Sequence, residues 1–171
     1  MPVVRTRRLI LRVLIAAAGT IAAVTASTGC GPAVDLTKGL EIQNVSTGWY
    51  DAGIVNGENK IVPSVTFTIK NVSNRSLAPL QVNALFRLVN DPAEWGSAFL
   101  TAADSHGLAP GAETPVLTMR SQQGYTSTDP RQDMLHNSHF VDAKVELSAK
   151  YGAGQWTRVG AYQIGRQLLA H

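Results

Sequence analysis

"SVTFTIK" (residues 64–70) alternates without a break: Val65, Phe67 and Ile69 are apolar, and Thr66, Thr68 and Lys70 are polar. Successive side chains of a strand point to opposite faces, so a period of two gives one dry face and one wet one. The pattern returns in "LQVNALFRL" (80–88), where Leu80, Val82, Ala84, Phe86 and Leu88 lie opposite Gln81, Asn83, Leu85 and Arg87. "VDAKVELSA" (141–149) repeats it, with Val141, Ala143, Val145, Leu147 and Ala149 set against Asp142, Lys144, Glu146 and Ser148. Strands that bury one side only belong to antiparallel sheets packed face to face.

Turn chemistry separates these runs. Asn56-Gly57 lies between apolar segments and marks a tight hairpin. "NVSNRS" (71–76), "NDPAE" (90–94), "GLAPGAE" (107–113) and "YGAG" (151–154) mark further turns. Strands are predicted near 40–46, 49–55, 61–70, 79–89, 95–102, 114–121, 140–150 and 155–164. Seven to eight short strands broken every ten or so residues predict an all-β fold, an antiparallel immunoglobulin-like β-sandwich. One short helical turn is predicted at "DPRQDML" (129–135), with Asp129 as N-cap and Pro130 at the first helical position. Alternating strand direction puts the turns at 56–60, 90–94 and 122–139 at one end, and 71–78, 103–113 and 151–154 at the other.

"VTFTIKNVSNRSL", a long apolar strand and then "LAPGAE" resemble the immunoglobulin-like modules of the FxLYD kind carried by bacterial exported proteins. The resemblance covers residues 60 to 121 and implies a non-catalytic extracytoplasmic module. It names no ligand.

The segment before this domain has its own layout. Arg5, Arg7, Arg8 and Arg12 precede an apolar centre "VLIAAAGTIAAV" (13–24) and the small residues "TASTG" (25–29), the three-part form of an export signal. An uncleaved anchor is the alternative, but the uninterrupted apolar centre is shorter than the roughly 20 residues that span a bilayer. "TRRLILR" (6–12) also resembles a twin-arginine export motif, with Ile10 where phenylalanine is commoner. The chain holds a single cysteine, Cys30, so no disulfide within the chain can staple the fold.

"STGC" (27–30) resembles the lipobox of bacterial lipoproteins, whose cysteine is acylated and becomes the new N-terminus. Thr28 and Gly29 fit the pattern, whereas Ser27 stands where an aliphatic residue is usual. Cleavage after Ala26, leaving Cys30 a free thiol, is the competing reading. An exported chain has little use for one exposed, oxidisable thiol, and this one stands where acylation would use it. The expected organisation is a signal peptide over 1–29, a linker over 30–39 beginning with lipidated Cys30, and a sandwich over 40–171.

The formal charge of +3 belongs to that leader. From Cys30 onward eleven Lys and Arg face twelve Asp and Glu, a balance of −1, so nucleic acid is not an expected partner. Asp133, His136 and His139 recur at three-residue spacing, and His106 follows Asp104 in another loop. This is not the spacing of a metal signature such as HExxH, and no metal or other cofactor is expected. "DSH" (104–106) holds the three types of a nucleophile relay, but adjacent residues cannot stack into one. No GxSxG elbow is present, and no enzyme activity is expected.

Trp49, Tyr50, Trp95, Tyr125 and Trp156 could either form a sugar-stacking platform or close the ends of the core. The expected function is a non-catalytic module, held on the membrane of a bacterial envelope, that binds another envelope protein. Alternatives are a carbohydrate- or peptidoglycan-binding module and, less favoured, a periplasmic metal-binding protein. The connection 122–139 is the longest, and loops of such length are commonly functional. Trp95, Tyr125 and Arg131, with His136 and His139, are the expected partner-contacting residues. The first three are expected to be replaceable without loss of stability.

Overall fold

The computed structural model describes residues 33–169. The segment expected to be a signal peptide, and Cys30, lie outside the described residues. The described residues are 54% strand and 6% helix, an all-β sandwich of eight strands and two short helices. No helix among the described residues is long and apolar enough to cross a membrane.

Eight strands follow in order: β1 (Leu40–Val55), β2 (Glu58–Asn71), β3 (Leu80–Leu88), β4 (Gly96–Ala103), β5 (Leu117–Arg120), β6 (Tyr125–Ser127), β7 (Ala143–Tyr151) and β8 (Thr157–Gln163). One sheet has the order β1-β2-β5, with β6 also paired to β2, and the other β4-β3-β7-β8. All strand pairs are antiparallel. The chain crosses between sheets after β2, β4, β6 and, through its C-terminal segment, β8. The first three crossings give the immunoglobulin-like connectivity.

The inward faces are those expected from alternation. Val65, Phe67 and Ile69 of β2 meet Val82, Ala84 and Phe86 of β3 and Val145, Leu147 and Ala149 of β7, all fully buried. The Asn56-Gly57 turn has φ of 53° and 86°, the left-handed pair that a two-residue hairpin requires.

Several boundaries differ from the sequence reading, each for a local reason. The expected strands 40–46 and 49–55 are one strand, β1, whose register slips between Gln43 and Ser46. Asn44 adopts φ 53° at the slip and donates its side-chain amide to Thr68 Oγ1 at 3.1 Å. A bulge inserts one residue without ending the strand. Tyr125–Ser127, expected as loop, pairs with Asn59–Ile61. The helical turn is α2 (Arg131–Met134), with Pro130 rather than Asp129 at the N-cap position and no side-chain capping hydrogen bond. Ser127 Oγ takes the Asp129 N–H at 3.0 Å, and the Asn59 amide donates to the Asp129 carbonyl at 2.8 Å, so Asp129 is held as a turn. A second helical turn, α1 (Leu36–Gly39), has no counterpart in the sequence reading. Asp35 caps it, its carboxylate accepting the Thr37 N–H, and Leu36 is buried in the core. Part of the segment read as linker therefore packs as domain.

The loops gather at two ends. At the first, Leu77 and Leu108 exchange backbone hydrogen bonds, and Gly152 N–H donates to Pro79 O. Asn71 is buried there and ties two loops together. Its amide donates to Arg75 O (2.8 Å) and Leu108 O (2.7 Å), and its carbonyl accepts from the Ser73 N–H and hydroxyl. At the opposite end lie the β1–β2 hairpin, the turn before Trp95 and the connection 121–142. The C-terminal residues return to the edge of β1, where Trp49 N–H donates to Gln167 O and Leu169 N–H to Trp49 O. That contact pairs an edge which would otherwise be open.

Candidate functional site

The connection 121–142 builds the second end of the sandwich. Ser121 is buried, and its N–H donates to Pro63 O at 3.0 Å. Gly124 then passes so close to β2 that a Cβ would lie 2.1 Å from Ile61 O, which only glycine permits. β6 follows, then α2, whose Met134 together with Leu135 and Phe140 enters the core. These apolar residues pin a segment that is otherwise polar.

Arg166 fixes the return of the chain. Its Nε donates to Asp142 Oδ1 at 2.6 Å and its Nη2 to Asp142 Oδ2 at 3.2 Å. The same guanidinium reaches Leu135 O and Phe140 O, both at 3.3 Å, and lies 5.0 Å from the Phe140 ring centroid. The Asp142 carboxylate raises the Arg166 pKa above its ordinary value.

Four aromatic rings close the core here. Trp49, fully buried, lies 4.8 Å from Phe140, 5.6 Å from Tyr125 and 6.2 Å from Trp95 between ring centroids. Tyr125 is 5.1 Å from Trp95 and 4.8 Å from Phe140. The Tyr125 hydroxyl donates to Val141 O at 3.2 Å, and burial pushes its pKa up. Above these rings opens a recess of about 240 Å³. Tyr125, Met134 and Phe140 form its apolar part, while Thr126, Ser127, Asp129, Asn137 and His139 supply hydroxyls, a carboxylate, an amide and an imidazole.

The expected contact residues divide around this recess. Tyr125 and His139 line it. Trp95 is half-buried behind it within the ring cluster. Arg131 pairs with Asp51 of β1, and His136 is exposed and does not line the recess. Trp95 and Tyr125 are thus packing residues as well as end residues, and the expectation that they can be removed without loss of stability is replaced. The five aromatics considered as a platform occupy three places. Trp49, Trp95 and Tyr125 close this end, Tyr50 lies under Arg120 at 3.5 Å, and Trp156 stands on the other sheet with Phe99, ring centroids 6.2 Å apart.

His106 Nδ1 lies 3.1 Å from Asp104 at the opposite end, both exposed. The Asp104 carboxyl is held below its ordinary range by the His106 backbone N–H and then the ring. Among the described residues no group of three His, Cys, Asp or Glu side chains converges as metal ligands would.

Alternation does not reveal Met134, Asn137 and Phe140, which lie in an aperiodic segment. The signal that is present is compositional, because "ML" and Phe140 are apolar residues inside a polar loop.

Fold and geometry define an all-β sandwich with an aromatic-backed recess at one end. No family model matches the chain, and no curated protein matches it. One solved structure, "X-ray structure of Northeast Structural Genomics Consortium target SoR45", is similar at 14% identity and a TM-score of 0.45, over 80% of this chain and 93% of that one.

Proposed function

We propose that this chain is a non-catalytic bacterial envelope lipoprotein, acylated at Cys30, whose sandwich binds another envelope protein at the recess end. The observation that carries the binding assignment is the recess of about 240 Å³ built by the longest connection. Its aromatic floor and short polar rim are the make-up of a contact surface. Beside it, strand register sets Ile54, Asn59 and Ser127 side by side. Ile54 is 70% exposed, an aliphatic group that a protein partner would bury and a sugar would not. The tether is supported by "STGC" and by the position of the single cysteine.

A photocrosslinking residue at His139, in the full-length protein within its own envelope, tests the assignment. A discrete protein adduct is expected, lost in Thr126→Trp, which plugs the recess from an exposed position. Adducts indifferent to Thr126→Trp would overturn it. The hydroxyl, amide and carboxylate groups over aromatic rings also suit a sugar ring. Saturable peptidoglycan-fragment binding lost in the same variant would replace the protein reading with that one.

A further inference from the structure

We infer that the end of the sandwich opposite the recess, carrying Val72 and Trp156, rests on the lipid surface and holds the recess away from it. This rests on the tether at Cys30 proposed above. The chain enters the described fold at this end: Val34 N–H donates to the Tyr151 hydroxyl, Leu36 is buried, and Gly39 O accepts from Val72 N–H at 3.0 Å. From Cys30 to Ala33 there are three residue steps, which span at most about 11 Å even when fully extended. An acylated Cys30 sits in the headgroup region, so the loops around Val34 cannot be far from it.

Those loops present the groups an interface takes. Val72 is 48% exposed and Trp156 43%. Trp156 follows the β7–β8 turn at this end, its ring 5.0 Å from Lys150 Nζ and 6.2 Å from the Phe99 ring on the outer face of the same sheet. An indole with an apolar body and a wet edge is enriched at headgroup level, and lysine stems lie along apolar surface while their heads stay solvated. Charge does not drive the contact, because Lys38, Lys70, Arg75 and Lys150 face Asp35, Glu41, Asp104 and Glu113 at this end. The contact is therefore insensitive to salt. β1 then carries the chain from Leu40 to the hairpin, roughly 50 Å of strand at about 3.3 Å per residue. Ile54 and the recess stand at that far end.

The test uses the full chain in vesicles of phosphatidylethanolamine and phosphatidylglycerol with brominated acyl chains, which quench nearby tryptophan. Three proteins are compared: wild type, Trp156→Phe, and Ile54→Trp in the Trp156→Phe background. Intact mass first reports whether Cys30 carries acyl chains. Where it does not, coupling the Cys30 thiol to a maleimide phospholipid in the same vesicles supplies the tether, so a failed lipidation and a failed orientation are read apart. Quenching of wild type, its loss in Trp156→Phe, no quenching of Ile54→Trp, and no change on raising salt are expected. Equal quenching of wild type and Trp156→Phe, or quenching of Ile54→Trp, overturns the orientation. Trp156 shielded from solvent but not quenched by brominated lipid places a protein on this face and overturns it equally.

Discussion

Trp49 meets Phe140 edge to face, ring centroids 4.8 Å apart at 68°, and this contact joins the middle of β1 to the end of the longest connection. Both rings are buried, Phe140 at 8% exposure. Phe140→Ala should cost about 3–5 kcal/mol, the range for emptying a buried aromatic site. Urea unfolding measures it. A change near zero would mean that the ring cluster does not hold the recess end.

Gly124 sets where β6 lies. A methyl there meets Ile61 O at 2.1 Å and Val62 Cγ1 at 2.7 Å, so Gly124→Ala should push β6 off β2 and destabilise by about 1–3 kcal/mol, the cost of overpacking. Hydrogen exchange would speed at Asn59 to Ile61 while β3 and β7 stay protected. Unchanged protection at the β2–β6 pairing contradicts this placement.

Asn71 should be the costliest polar residue to truncate. Its side chain makes two donated and two accepted hydrogen bonds from a fully buried position. Asn71→Ala leaves the Ser73 N–H without its acceptor and takes one of two donors from Leu108 O, which keeps the Leu77 N–H, and from Arg75 O, which keeps the Ser73 hydroxyl, for a loss of about 1–3 kcal/mol. Thermal melts of Asn71→Ala and Asn74→Ala give the contrast, with Asn74, exposed in its turn, near neutral.

Glu146 makes stability depend on acid. Its carboxylate accepts from Arg87 Nη1 at 2.7 Å, with Arg158 at 3.5 Å. The Arg87 hydrogen bond, ahead of the nearby positive charges, holds its pKa below the ordinary value. A folded pKa lower than the unfolded one means that the unfolded chain takes up the proton first, so the contribution is present at neutral pH and lost as pH falls through the folded value. Between about pH 5 and pH 3, wild type should lose more stability than Glu146→Gln. The difference is small because the pair is partly solvated. Parallel pH profiles of the two proteins would contradict it.

The alternation of Val65, Phe67 and Ile69 makes the inner faces legible in the sequence alone, because a buried face permits no slip of register. β1 reads as two strands for the same reason. Leu40 and Ile42 face the core on even numbers, and the bulge at Asn44 moves the inward set to odd numbers, ending at Trp49. A one-residue insertion looks like a strand break when only parity is read. The recess is legible in part. Tyr125 and His139 stand out because a long polar connection with aromatics suggests contact. Met134, Phe140 and the Arg166–Asp142 clamp do not, since their roles depend on distant segments meeting in space.

The central claim, a domain tethered to the envelope through Cys30, is tested most directly by the intact mass of the protein recovered from membranes of its own host, alongside Cys30→Ser. The account predicts a chain that begins at Cys30 and carries acyl mass, with Cys30→Ser released from the membrane or left unprocessed. A soluble, unacylated product beginning at Ser27 would contradict it.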